Sequence, residues 1–438
     1  MVFKMSNFDQ AELAAEAYIY LYPIVVMEIT RQKYGAKTQS PHDANLLSHS
    51  RTLANDKWRS VARTNIDTLA SGVWLDLSKT SATMTIAKSQ LRFYMYQFLD
   101  MWTDTYAVVG SRTVGNEMVR LRIAAASDTA VKSDDVDFLI KSPTPTTWII
   151  GRTYTNGKTD LVDAHHHQDG VIIKYDHPDE VQSNNQEITF IANIPPVEQA
   201  TKLSGSEFFE LASRLIAQQG VHLTDGSISF RLRSLGFNVG ELFMYENQTA
   251  DVKAAIDQAP KRAALAIKSV SNSYKQTASG WSIALDNIGT YANNYLTRAI
   301  IAKYGLAANP PEDSVYASFA PQDERLELDG ENKYSIHFEK DQIPPARFFW
   351  SLTVYDRDGF MIPNELRRFG LRSCDNLEYG SDGSLDIYLS PIKTDHFPES
   401  NWIPTVKGLV TATIRLYGPS NDVLSGKWEP PAFSRVAN

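Results

Sequence analysis

Cysteine is almost missing. Cys374 is the only one in 438 residues, so no internal disulfide can form and a reducing compartment is permitted. Basic runs are missing as well: no five consecutive Lys or Arg residues occur, and the formal charge is −8. That argues against a nucleic-acid partner, because phosphate binding needs a basic face. No apolar stretch reaches the ~18 residues of a membrane span; the run near Ala17–Met27 is too short. Met1–Asp9 carries no basic segment followed by an apolar stretch and a small-residue cleavage site, so no leader is expected. The familiar motifs are missing too: no phosphate loop, no Gly-x-Gly-x-x-Gly after a strand, no Gly-x-Ser-x-Gly elbow and no His-Glu-x-x-His. The expectation is a cytoplasmic protein with a small-molecule substrate and no cofactor, without nucleic acid or membrane, and compatible with a homo-oligomer.

Aromatic residues are plentiful, with 8 Trp, 20 Tyr and 19 Phe; they suit sheets and line small-molecule pockets. The first element reads as a helix, with Ser6 and Asp9 as a capping pair, Leu13, Ala14, Ala17, Tyr18 and Leu21 at helical spacing, and Pro23 kinking or ending it. From Thr68 to Ile173 the period is two, as in strands, and Gly157–Asn185 reads as a polar connection. Helices follow over Ser206–Gln219, Asp251–Ala259, Lys261–Tyr274 and Asn287–Tyr304; then strands return at Tyr334–Phe338, Arg347–Tyr355, Ser384–Leu389 and Leu409–Tyr417. The fold class is α+β: two mainly antiparallel β-rich domains, sandwich or barrel-like, with an N-terminal helix and a helical middle. The expected boundaries are 1–200, 201–308 and 309–438.

The most suggestive stretch is Arg92–Arg112. On a strand Arg92, Tyr94, Tyr96, Phe98 and Asp100 share one face, and Trp102, Asp104, Tyr106 and Arg112 lie just beyond. A carboxylate, phenols and a guanidinium are the parts of an acid–base site; the alternative is an aromatic sheet face whose Asp100 caps a turn. Upstream, Arg63–Thr68 gathers polar side chains, and Asp67 is either a base or the anchor of its own loop. In Asp163-Ala-His-His-His-Gln-Asp169, His165 and His167 with Asp163 form three metal ligands if the segment is a strand; in a polar turn they are merely solvated. His42, His49, His222, His337 and His396 stand alone. In Leu409–Tyr417 the polar set Thr411, Thr413, Arg415 and Tyr417 is either a solvated or interdomain face or a clamp for an anionic or carbonyl oxygen. Ser351, Thr353 and Tyr355 pose the same choice. Cys374 has no evident histidine partner.

Taken together, these segments resemble a pairing of two domains, domain of unknown function twelve-fifty-four followed by domain of unknown function twelve-fourteen. Tyr18–Thr30, Asn65-Ile-Asp-Thr68 running into Trp74-Leu-Asp-Leu77, Asp100-Met-Trp-Thr103, Gly110-Ser-Arg-Thr-Val-Gly115, Ser142-Pro-Thr144 and Trp148-Ile-Ile-Gly-Arg152 resemble the first. Tyr295–Arg298, Phe349-Trp-Ser-Leu-Thr-Val-Tyr355, Asp382-Gly-Ser384, Asn401-Trp-Ile-Pro404, Arg415-Leu-Tyr417 and Gly426-Lys-Trp428 resemble the second. The resemblance implies two β-rich domains with a helical insert and no common reaction. Relatives tend to carry Tyr where this chain has Ala70, and Asn-Pro-x-x-Arg-Tyr where it has Asn364-Glu-Leu-Arg-Arg-Phe369.

The expected activity is acid–base chemistry on a hydrophobic small organic molecule, by an isomerase or cyclase, a lyase or a hydrolase of specialised metabolism. Asp67 and Asp100 are the candidate acid and base. Arg112 would stabilise developing negative charge, and Asn65, Tyr94, Tyr96, Trp102, Arg152, Tyr355 and Arg415 would bind substrate. Two alternatives stand beside it: a carbohydrate or lipid binder using exposed Trp102, Trp350 or Trp402, and a metal enzyme built on His165 and His167.

Overall fold

The structure, a computed structural model, describes residues 9–36, 46–59, 61–129, 134–181, 194–271, 277–320 and 326–436. Ser6 and His42 lie outside them. The first helix runs over Gln10–Ala36, with Asp9 accepting from the Ala11 amide at 2.9 Å. It continues through Pro23, where an end or kink is expected. A mid-helix proline costs about 3 kcal/mol, but Leu21, Ile24, Val25, Val26, Met27 and Ile29 around it are all buried, each worth roughly 1.5–3 kcal/mol. Packing overrides the local penalty. The helix is long and apolar enough to cross a membrane by length and composition, and most of it is buried inside the protein. Ala250–Ser271 likewise runs unbroken through Pro260.

Among the described residues there are four sheets, mainly antiparallel. In the first half, a five-stranded sheet has the order Ser48–His49, Thr68–Asp76, Thr146–Tyr154, Tyr94–Leu99, Thr105–Gly110. It faces a four-stranded sheet of Phe138–Ser142, Val119–Ala125, Ala82–Ile86 and Val171–Tyr175, with Val73, Leu75, Tyr96, Phe98, Met84, Leu121 and Ile123 in the core between them. The polar connection expected over Gly157–Asn185 holds instead a helix, Leu161–Asp169, and the strand Val171–Tyr175. In the second half, Trp281–Ile283, Ser314–Phe319, Leu409–Pro419, Ala346–Asp356 and Gly370–Arg372 make the main sheet, opposed by Trp402–Pro404, Leu385–Ser390, Tyr334–Phe338 and Phe433–Arg435.

What positions the site is the outer face of the five-stranded sheet, which has two different covers. Trp74, Leu99, Trp148 and Ile150 pack under the first helix and the helices Gly205–Gln219, Ala250–Ser271 and Tyr295–Tyr304. Further along the same face, Phe93, Met95 and Tyr154 pack against Phe349 and Tyr417 of the second half. Between the two covers runs a seam.

Candidate functional site

The seam begins with a turn. Asn65 accepts from the backbone amides of Asp67 and Thr68 at 2.9 and 2.8 Å, an Asx arrangement that launches the following strand. Asn65 therefore anchors the loop, and the Asp67 side chain is left to point across the domain boundary. Asp67 is fully buried, and its Oδ2 accepts from Ser351 Oγ at 2.7 Å, while Oδ1 has no partner within the protein. Burial pushes its carboxyl up to about 6, against the Ser351 hydrogen bond and the charges of Arg415 and Arg372.

The opposite wall is the polar face of the second half's main sheet. Arg415 pairs across strands with Ser351 on one side and Tyr316 on the other, so the three share a face. The buried Arg415 guanidinium donates to Thr353 Oγ1 at 3.2 Å and to the Arg63 carbonyl at 2.6 Å, and lies over the rings of Tyr316 and Tyr355. Tyr355 donates to the Thr64 carbonyl at 2.7 Å. Tyr417 is fully buried with an unpartnered hydroxyl. Burial raises its pKa, the neighbouring Tyr316 and Asp67 add to the rise, and Arg152 and Arg415 oppose it. This face is not solvated: it is buried against the first half.

Arg152 completes the seam from the five-stranded sheet. Its cross-strand partners are Ala70 and Met95, so all three project to the outer face. Ala70 is exposed there, Arg152 half-buried, and Met95 buried against Phe349 and Tyr417. Gln97, one pair along, donates to the Ala308 carbonyl at 2.8 Å, and Asn309 donates to Ser314 and Tyr316. Asp67 Oδ1, Gln97 Oε1, Arg152 Nε, Asn309 Oδ1 and Tyr417 Oη are all buried without a partner in the protein. Buried polar atoms are ordinarily satisfied; these five are among 20 buried, unpartnered side-chain atoms of the described residues.

Other expected site residues lie elsewhere. Tyr94 and Tyr96 do share a face with Phe98, but it is the inner one: they sit in the sandwich core, Tyr94 donating to the Gly115 carbonyl. A Cβ at Gly151 would collide with the Tyr96 ring. Arg92 is drawn off by a bidentate pair with Asp160. Arg112 is fully engaged by Asp313 at 2.7 and 2.8 Å, at a surface cleft lined by Glu312, Arg347, Phe348 and Ser420. Trp102 is buried, stacked on Tyr20, and donates to the Gly220 carbonyl. Trp350 and Trp402 are buried too, so none of the three is an exposed platform.

Asp100 belongs to a second cluster. Its Oδ1 accepts from the amides of Trp102 and Asp104, and its Oδ2 meets His222 Nε2 at 2.6 Å. Asp104 accepts from the Tyr291 amide and from Arg298 at 2.6 and 2.7 Å. Burial disfavours the charged imidazole, but the hydrogen bond and charge of Asp100 outweigh it and His222 is raised. Burial also pushes Asp104 up, against Arg298. Asp100, Asp104 and His222 have ligand atoms close enough for a metal, yet each of these oxygens and Nε2 is already spent on a protein partner. The cluster ties the Asp100–Asp104 turn to the helical region. His222, alone in the sequence, finds its partner 122 positions away, which no local pattern signals.

His165 and His167 fall on the helix Leu161–Asp169, where residues two apart point about 200° apart. They share no face. His165 bonds the Arg51 carbonyl, and His167 packs beside Tyr94. Cys374 lies close to Tyr154 and Arg372.

Similarity to known proteins follows the two halves. "Protein of unknown function (DUF1254)" matches residues 44–175 and "Protein of unknown function (DUF1214)" matches residues 313–421. No curated protein matches the chain. Among solved structures, the VPA0106 protein from Vibrio parahaemolyticus is similar at 19% identity, with 98% of this chain and 100% of that one covered and a TM-score of 0.69; at that identity the fold is what is shared. An uncharacterised protein from Burkholderia cenocepacia is similar at 11% identity, 98% and 92% coverage and a TM-score of 0.44. With both domains matched in order, the chain belongs to the family that pairs DUF1254 with DUF1214.

Proposed function

We propose that the seam is the active site of a cofactor-independent enzyme that moves a proton on a small hydrophobic organic molecule, in an isomerase or cyclase, lyase or hydrolase reaction. Asp67 is the general base. A carboxyl titrating near 6 is ionised at neutral pH yet basic enough to take a proton. The Tyr417 hydroxyl and the fixed Arg415 guanidinium, on one face of the same strand, are the groups assigned to stabilise negative charge developing on a carbonyl oxygen. Met95, Phe93 and Phe349 supply the apolar wall. The observation that carries this reading is Asp67 itself: buried, held by one hydrogen bond from the other domain, and with one oxygen unspent.

The test uses panels of aryl and alkyl ketones, enones and esters in D2O, with α-deuteration, double-bond migration or cleavage followed by NMR. Asp67→Asn is expected to lower any rate found by roughly 10²-fold or more while leaving the unfolding transition cooperative. Rates unchanged by that substitution would remove Asp67 as the base.

A further inference from the structure

We infer that the molecule bound in the seam carries a carboxylate, and that Arg152 is the residue that holds it. The inference rests on the seam being the binding site and adds the substrate class to it. Most of the protein's buried or half-buried guanidinium groups already have acceptors. Arg92 holds Asp160, Arg112 holds Asp313, Arg298 holds Asp104, Arg372 holds Asp375, and Arg415 holds Thr353 and the Arg63 carbonyl. Arg152 is different. Among the described residues it makes no hydrogen bond or ion pair, and its Nε is buried without an acceptor.

A guanidinium keeps its charge in any protein environment and presents donors in a planar fork that matches a carboxylate in two parallel bonds. Leaving its buried Nε without an acceptor is costly unless a ligand meets it. Its position suits that role. Arg152 stands between exposed Ala70 and buried Met95, which packs on Phe349 and Tyr417. A carboxylate on half-buried Arg152 sets the apolar remainder of the molecule over Met95, on the side of Phe349 and Tyr417. The orphaned Arg152 Nε then gains an acceptor from the ligand.

The experiment is a thermal-shift and calorimetric panel on the full chain at constant ionic strength, with benzoate, phenylacetate, cinnamate and octanoate, each beside its primary amide. At least one acid is expected to bind and raise the melting temperature, with its amide at least ten-fold weaker. Arg152→Gln should weaken that acid ten-fold or more, and Arg152→Lys should recover part of the loss. Asp67→Asn should keep the acid's binding even if it abolishes turnover, so failure of the base and failure of the anchor read separately. Amides binding as tightly as acids, no acid binding at all, or affinity unmoved by Arg152→Gln would each overturn the inference.

Discussion

Asp67 and Asp100 stand at opposite ends of the five-stranded sheet, each buried, each beside an arginine or histidine, and each a reasonable acid or base by sequence. Their surroundings separate them. Asp100 accepts two backbone amides and a histidine, and its neighbour Asp104 accepts an amide and Arg298. Every oxygen there has a task in holding the turn and helices together. Asp67 has one hydrogen bond and one idle oxygen, because Asn65 has taken over the loop. Burial and charge do not separate the two carboxylates; completeness of partners does, and on the proposed reading it is what leaves Asp67 free for chemistry.

That contrast can be broken by substitution. The largest effect is expected at the structural cluster: Asp104→Ala leaves Arg298, which is 0% exposed, as an unpaired buried charge, and chemical denaturation should report a loss of about 3–5 kcal/mol. A loss below ~1 kcal/mol would undo the distinction. A smaller, pH-dependent effect is expected at Asp67. Its pKa is raised in the folded protein, so its contribution to stability is fully present below the unfolded value and is lost as pH rises through about 6. Asp67→Asn should therefore gain on the parent between pH 4 and pH 8 by on the order of 2 kcal/mol, read from unfolding curves at both pH values. The smallest belongs to Tyr94→Phe, which removes one hydrogen bond to the Gly115 carbonyl and should cost about 1 kcal/mol with no change in any ligand affinity.

Much of the fold was legible. Period-two patterns place Tyr94–Leu99, Ala346–Asp356 and Leu409–Pro419 as strands, and Gly220 does end the helix Gly205–Gln219. The misread elements share one cause: Pro23 and Pro260 sit inside helices, and Leu161–Asp169 is helical, because tertiary packing overrides local signals. The site was half legible. Asp67, Arg152, Tyr355 and Arg415 meet at the seam, each on a segment whose polar residues interrupt an apolar alternation. The choice of face was not legible: alternation puts Tyr94 and Tyr96 together but does not say which sheet surface is sealed and which abuts another domain. Ser351 and Tyr417 gain their meaning only from contacts across the boundary between the two halves.

The most direct test of the account is the titration of the Asp67 carboxyl itself, followed by carbon-13 NMR with Asp67→Asn to assign the signal. A midpoint near 6, shifting when a carboxylate ligand occupies the seam, is the predicted result. A midpoint at or below the ordinary aspartate value of about 3.9, indifferent to ligand, would show a solvated or fully paired group and contradict it.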